Sequence, residues 1–139
     1  MFKHILLPLD FTEKNDPAIA AVQELAATMQ SRVSLLHVIK AIEGVADQEM
    51  EEFYEMLEGR ARMALTRLQT DLGRERIEAD YAIAYGKRTE EIVRCAGETG
   101  VDLIIMSSRK LDPSAPMQPW PTISHKVAVF APCPVLLVR

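Results

Sequence analysis

Residues 101–139 decide the fold, and they divide into four parts. VDLIIMSS (101–108) is an apolar run ending in serines, RKLDPSAPMQPWP (109–121) is rich in proline, TISHKVAVFA (122–131) has helical spacing, and PCPVLLVR (132–139) contains a second apolar run. This succession of strand, loop, helix and strand is typical of an α/β protein. A strand that ends in hydroxyl residues, followed by a helix that starts near Thr122, can present amides and hydroxyls to an anion.

The loop between these two elements contains no glycine. A phosphate-cradling turn usually needs glycine, because glycine adopts positive φ and allows a ligand to approach the backbone closely. Here prolines are spread through the segment instead, at Pro113, Pro116, Pro119 and Pro121. The loop therefore departs from the common pattern at the place where the ligand is expected.

Strand-like and helix-like segments alternate along the rest of the chain. Apolar, β-branched runs predict five strands: His4–Leu9, Arg32–Ile39, Ile77–Tyr85, Val101–Ser107 and Val135–Val138. Apolar residues three and four apart predict four helices. The first starts at Asn15-Asp16-Pro17, and the second runs from about Gln48 to Asp71 with Gly73 as its stop. The third runs from about Glu90 to Thr99 and is ended by Gly100, and the fourth is Ile123–Phe130. Right-handed crossovers then predict an α/β, three-layer, doubly wound, five-stranded parallel sheet with four helices and strand order 3-2-1-4-5.

Composition narrows the class of protein. The 139 residues, 48% hydrophobic and 26% charged, predict a single soluble domain over residues 1–139, with no apolar run of membrane-spanning length and no signal peptide. We therefore expect a cytoplasmic protein that does not act at a membrane. The net charge of −4 argues against nucleic acid as a partner.

A ligand is expected where the strand order reverses, between the first and fourth strands. The residues at and after the end of the first strand are Pro8, Leu9, Asp10, Phe11 and Thr12. Those at and after the end of the fourth strand are Met106, Ser107, Ser108 and Arg109. The proline-rich loop follows directly.

Four segments carry a family resemblance: LPLDFTEKNDPAIAAVQELA, SLLHVI, AYGKRTEEIVRCAGETGVDLIIMSS and HKVAVFAPCPVLLVR. Together they resemble the universal stress protein family over essentially the whole chain, and the ending APCPVLLVR is the most specific part. The resemblance implies the α/β fold and a homodimer paired through the last strands, here Val135, Leu136, Leu137, Val138 and Arg139. In one branch of the family it also implies ATP or another adenine nucleotide at the switch point.

The family pattern transfers to this chain in part. Asp10 matches the acidic residue that contacts the nucleotide, and Val38 matches a backbone contact to adenine. Three glycines of the nucleotide-binding branch fall on Ser107, Lys110 and Pro121, and the hydroxyl residue of that motif falls on Thr122. The candidate nucleotide-binding residues are Pro8, Asp10, Thr12, Val38, Met106, Ser107, Arg109, Lys110, Thr122, Ile123 and Ser124.

Several of the residues singled out above, and others, also have a purely structural explanation. Asp10 either contacts a ligand or hydrogen bonds to its own loop, and Trp120 either covers the pocket or packs in the dimer. His37 is expected to be a satisfied buried histidine, Cys95 and Cys133 buried thiols without a disulfide, and the charges at Arg74, Arg76, Lys87 and Arg88 solvated surface. Neither a metal site nor a hydrolytic triad is predicted, because the histidines, cysteines and serines lack the required spacing and context.

Two hypotheses of function follow. The first is a non-enzymatic, dimeric stress-response or regulatory protein that binds an unidentified protein partner and has a degraded or altered nucleotide site. The second is an adenine-nucleotide switch, with at most very slow ATP hydrolysis, in which Asp10, Val38, Met106 and Thr122 hold ATP.

Overall fold

The computed structural model describes residues 1–41, 48–108, 113–114 and 122–139. Five strands alternate with helices along the described chain. The strands are β1 (His4–Pro8), β2 (Arg32–Ile39), β3 (Ala79–Tyr85), β4 (Leu103–Ser107) and β5 (Val135–Val138). The helices are α1 (Asp16–Met29), α2 (Gln48–Arg74), α3 (Arg88–Thr99) and α4 (Ile123–Phe130), with a short 3-10 turn at Glu13–Asn15.

The strands form one parallel sheet in the order β3-β2-β1-β4-β5. Strand β1 lies in the centre, and Ile5 aligns with Val33 of β2 and with Leu103 of β4. The predicted doubly wound sheet and its strand order are confirmed.

Helices cover both faces of the sheet. On one face α1 and α2 pack against alternate residues of the central strands, including Ile5 and Leu7 of β1, which are fully buried. On the other face α3 and α4 cover Leu6 of β1 and Ile104 of β4. Because the side chains of a strand alternate between faces, the continuous apolar runs of β1 and β4 serve both layers.

The end of α2 differs from the prediction. Gly73 lies inside the helix, which continues to Arg74. The left-handed residue that turns the chain is Arg76, with φ of 63°, and the amide of Ile77 donates to the carbonyl of Leu72 at 3.0 Å. A hydrogen-bonded turn three residues later thus takes the role expected of Gly73, whereas the expected stop at Gly100 is confirmed by its left-handed φ of 68°.

Within the described residues, no helix is both long enough and apolar enough to cross a membrane.

Candidate functional site

The carboxyl ends of β1 and β4 meet at the point where the strand order reverses. The helices that follow these two strands pack on opposite faces of the sheet, so the chain diverges and leaves a crevice between the strand ends. A cavity of about 80 Å³ lies there, room for a few water molecules. The lining residues are Pro8, Leu9, Asp10, Asn15, Leu36, Val38, Arg88, Ile92, Met106, Ser107, Ile123 and Ser124.

Asp10 organises the loop that leaves β1. One oxygen of its carboxylate accepts hydrogen bonds from the amide of Thr12 at 2.9 Å and from the Thr12 hydroxyl at 2.7 Å. Burial opposes ionisation of Asp10, but these bonds and the charges of Arg88 and Lys14 outweigh burial and lower the pKa of the carboxyl. Asp10 therefore makes the local turn and also presents a negative charge at the cavity.

Asn15 joins the two strand ends, a role that the sequence did not reveal. Its side-chain oxygen accepts hydrogen bonds from the amides of Asp10 and Phe11, each at 3.0 Å, and its nitrogen donates to the Ser107 hydroxyl at 3.4 Å. Asn15 is 5% exposed. Asn15 occupies the N-cap position of α1, but its side chain makes no capping bond to the helix and reaches back to the loop instead. A sequence signal for this role exists, because Asn15 follows Asp10 and Phe11, whose amides it bonds, by five and four residues.

Hydroxyl groups connect the start of α4 to the end of β4. The Thr122 hydroxyl accepts from the amide of His125 at 3.2 Å, as a helix cap does, and lies 3.1 Å from the Ser124 hydroxyl. Ser124, which is buried, donates to the Ser108 hydroxyl at 3.1 Å. The candidate residues Thr122 and Ser124 thus lie beside the end of β4 that carries Ser107.

A larger groove adjoins this cavity. Its volume is about 1160 Å³, and Val38, Arg88 and Ile123 line both spaces. The remaining lining residues are Lys40, Gly86, Lys87, Thr89, Glu90, Val93, Arg94, Lys126 and Phe130. Five of the twelve lining residues are cationic and one is acidic, which contrasts with the net charge of −4 of the whole chain.

Lys87 and Arg88 were expected to be solvated surface charges, and their exposure agrees with this. Both side chains are exposed, as a surface interpretation requires, but both line the groove at the start of α3. Arg88 lies close enough to Asp10 to lower the pKa of that carboxyl.

Most of the candidate nucleotide-binding residues come together. Seven line the small cavity: Pro8, Asp10, Val38, Met106, Ser107, Ile123 and Ser124. Thr122 adjoins the cavity through Ser124. Thr12 does not line it and instead donates to Asp10. Arg109, Lys110, Trp120 and Pro121 lie outside the described residues.

His37, near the site, and His4, at the opposite end of the sheet, both hydrogen bond within the protein. The Nδ1 of His37 donates to the carbonyl of Leu9 at 2.8 Å, and the centroid of its ring lies 4.4 Å from that of Phe11. His37 is therefore hydrogen bonded as predicted, but its side chain is half-buried rather than buried.

His4 lies at the opposite end of the sheet, where its Nδ1 is 3.1 Å from a guanidinium nitrogen of Arg32 and its Nε2 is 2.6 Å from the Ser34 hydroxyl. Because guanidinium can only donate, Nδ1 is the acceptor and Nε2 carries the proton. His4 therefore donates to Ser34 and does not act as its base.

Cys95 and Cys133 are free thiols, half-buried rather than buried. Burial raises the pKa of both thiols. Among residues 1–41, 48–108, 113–114 and 122–139, no cluster of acidic, histidine and cysteine side chains is arranged to hold a metal ion.

A model described as the universal stress protein family matches residues 1–139. The chain belongs to the universal stress protein family. The resemblance seen in the sequence is thereby confirmed.

Individual members of the family are similar over most or all of the chain. A universal stress protein of Bacillus subtilis, YxiE, is 28% identical over 149 aligned residues that cover both chains fully. A universal stress protein of Thermus aquaticus is 33% identical over 148 residues, again covering both chains fully. The universal stress protein MJ0577 of Methanocaldococcus jannaschii is 32% identical over 78% of this chain and 77% of its own. The solved structure of MJ0577 matches 99% of this chain and 96% of its own with a TM-score of 0.85 and 28% identity.

Proposed function

We propose that the protein is a non-enzymatic, dimeric stress-response regulator whose nucleotide site is altered rather than lost. The observation that carries this proposal is the continuity of the switch-point cavity with the basic groove, through the shared residues Val38, Arg88 and Ile123. Ligands of doubly wound proteins bind at this edge of the sheet. The occupant that this arrangement favours is an adenine nucleotide.

The small cavity is too small for a nucleobase, but the apolar residues where it opens into the groove of about 1160 Å³ suit a planar base. Val38 stands near the carboxyl end of β2 and is 7% exposed, and Ile92 and Met106 line the same small cavity. Ile123 is 36% exposed and lines both spaces. Apolar walls with a few polar groups are typical of small-molecule sites.

The polar part of the site suits a ribose and phosphate. The ionised Asp10 can accept hydrogen bonds from hydroxyls, and the Ser107 and Ser124 hydroxyls lie on the same cavity. Two distant universal stress protein structures were determined in complex with cAMP, at 13% identity and a TM-score of 0.75, and with dAMP, at 16% identity and a TM-score of 0.71. Adenine nucleotides are therefore the first ligands to test on this chain.

The hydroxyls at this edge of the sheet hydrogen bond to one another and to Asn15. The Ser107 hydroxyl accepts from Asn15, and Ser108, Thr122 and Ser124 bond among themselves. In the described part of the chain, none of these hydroxyls has a histidine ring or a carboxylate as its hydrogen-bond partner, although activating a serine requires such a base.

The edge strand supports the proposed homodimer. Strand β5 lies at one edge of the sheet, and Leu136 on it is 41% exposed. Val129 and Phe130 of the neighbouring α4 are also exposed. An apolar edge strand can be covered by pairing with a second copy.

Calorimetric titration with adenosine, AMP, ADP and ATP tests the binding proposal. We expect saturable binding at one site per chain for at least one nucleotide, and nucleotide recovered unchanged by chromatography after overnight incubation. The absence of saturable heat at millimolar concentrations of every ligand would refute the nucleotide site. Stoichiometric conversion of ATP to ADP with repeated turnover would refute the non-enzymatic assignment.

A further inference from the structure

We propose that a groove between α1 and α2 binds an amphipathic helix of a partner protein, with acidic residues on one side of its apolar ridge and basic residues on the other. This α1–α2 groove has a volume of about 710 Å³. It lies on the face of the sheet that α1 and α2 cover, opposite to α3 and α4. The inference goes beyond the proposed nucleotide site, and the two can fail separately.

One face of α2 exposes large apolar side chains. Phe53 and Met56 are each 44% exposed, and Met63 is 76% exposed. Arg60 and Arg67 continue the same spacing of three and four residues, so all five side chains lie on one face of the helix. This face, the α2 stripe, is about 21 Å long at a rise of about 1.5 Å per residue. Exposed apolar surface of this kind, and methionine in particular, is typical of surfaces that bind other proteins.

The floor of the α1–α2 groove is also apolar. Leu9 is buried and Leu68 is half-buried, while Phe11 is 39% exposed. Ile19 of α1 and Met63 of α2 line the two sides. An apolar groove between two helices can accept the apolar ridge of a third helix.

Phe11 is held in position at this floor. Its φ is 62°, and its amide donates to the side-chain oxygen of Asn15 at 3.0 Å. The centroid of its ring lies 4.4 Å from that of His37. Because the backbone and the ring are both fixed by neighbours, little further ordering of Phe11 is needed when a partner packs on it.

The two sides of the α1–α2 groove carry opposite charges. The charged residues are Arg60 and Arg67 on α2, and Glu13 and Asp16 at or just before the start of α1. In the part of the chain that the structure describes, none of these four side chains makes a salt bridge or a hydrogen bond. Asp71 also lines the groove, but Arg74 lies 3.6 Å from its carboxylate. A partner with acidic residues toward α2 and basic residues toward α1 would therefore complement both sides.

The spacing of the two arginines favours a helix as the occupant. Arg60 and Arg67 are two helical turns apart, about 10.5 Å along α2. Two acidic residues with the same separation in a helix lie on one side and match this distance. In an extended strand the same distance corresponds to about three residues, whose side chains point to opposite faces.

Other occupants fit the charges less well. A small anionic amphiphile would pair with Arg60 and Arg67 but would also face the carboxylates of Glu13 and Asp16. A second copy packed stripe against stripe would bring the arginines of both copies together, because Arg60 lies at the middle of the α2 stripe. A helix with one acidic and one basic flank avoids both conflicts.

The probe is a synthetic amphipathic helical peptide. It carries two glutamates seven residues apart, a ridge of leucines beside them, and two lysines on the far side of that ridge. The control peptide has the same composition, but one glutamate is moved by two residues, which turns it by about 200° around the helix.

Two protein variants remove the same amount of charge from α2. The groove variant Arg60→Gln/Arg67→Gln removes two charges that line the α1–α2 groove. The control variant Arg62→Gln/Arg74→Gln removes two charges of the same helix that do not line it. All four arginines are exposed, and exposed ion pairs contribute little to stability. Both variants should therefore keep the circular dichroism spectrum and melting curve of the wild type.

Fluorescence anisotropy of the labelled probe gives the readout. We expect saturable binding to the wild type at one site per chain, and about tenfold weaker binding to the groove variant, because two ion pairs are lost. The control variant should keep the wild-type affinity, and the control peptide should bind the wild type about tenfold more weakly than the probe does. Met63→Gln, at a position that is 76% exposed, should weaken binding of the probe without changing the melting curve.

Several results would overturn the proposal. These are no saturable binding of the probe to the wild type, and equal affinity of the wild type and the groove variant for the probe. Dodecanoate that binds the wild type and not the groove variant, while the probe binds neither, would identify a small amphiphile as the occupant. A change in the sedimentation of the protein alone on introducing Met63→Gln would identify a second copy.

Nucleotide titrations separate this inference from the proposed function. Arg60 and Arg67 line neither the small cavity nor the groove of about 1160 Å³, so the groove variant should keep the nucleotide affinity of the wild type. A wild type that binds the probe but no nucleotide would refute the nucleotide site and support the helix-binding groove. A wild type that binds nucleotide but not the probe would do the reverse.

Discussion

Replacing Asn15 by alanine should lower the free energy of unfolding more than the loss of a single polar side chain usually does. The side-chain oxygen of Asn15 accepts from the amides of Asp10 and Phe11, each at 3.0 Å, and the residue is 5% exposed. A hydrogen bond of this kind contributes about 1 kcal/mol, and an amide left without a partner costs about as much or more. Phe11 also holds a left-handed φ of 62°, which needs support from its surroundings.

We therefore expect Asn15→Ala to lower the free energy of unfolding by about 2–3 kcal/mol. For a domain of this size such a loss corresponds to a fall in melting temperature of about 6–12 °C. Urea titration and differential scanning calorimetry at pH 7.5 measure both quantities. The matched control is Ser107→Ala, which removes the long 3.4 Å bond from Asn15 alone and should cost less than about 0.5 kcal/mol. A loss in Asn15→Ala no larger than that of the control would refute the bridging role of Asn15.

Two further predictions concern the opposite end of the sheet and its edge. Burial, together with the charge of Arg32, lowers the pKa of His4 below its value in the unfolded chain. The unfolded chain therefore binds more protons than the folded one near pH 6.5. The free energy of unfolding should consequently fall as the pH drops below about 7. The stability advantage of wild type over His4→Gln in urea should therefore be larger at pH 7.5 than at pH 5.5, and a constant difference would contradict the neutral His4. Leu136→Lys adds a charge to an exposed position of the edge strand β5. We expect sedimentation to show a dimer for the wild type and a monomer for this variant, and a dimer in both would refute the proposed interface.

The fold could be predicted from the sequence because its signals are local. Arg32–Ile39, Ile123–Phe130 and Val135–Val138 have the predicted bounds, since each is a short apolar or periodic run with clear limits. The end of α2 could not be predicted from Gly73. The chain continues helically through that glycine, and the turn depends on Arg76 and on a bond from Ile77.

Only the part of the site that lies at the ends of the strands could be predicted from the sequence. Asp10, Ser107 and Ser124 come together because parallel strands bring their carboxyl ends to one edge. Asn15 bonds to Ser107 across 92 residues of sequence, a contact that no local pattern reveals. Arg88 was expected to be surface charge, and only the packing of α3 beside β2 shows that it lines the groove.

We propose that the altered site still receives a nucleotide at the switch point. The most direct measurement is a ¹H–¹⁵N chemical-shift titration of the labelled protein with ATP. We predict that the largest amide shifts cluster at Val38, Arg88, Ser107 and Ser124, which line the small cavity, and that they saturate together. Amide shifts that remain unchanged at millimolar ATP, or that cluster on α2 instead, would contradict nucleotide binding at the switch point.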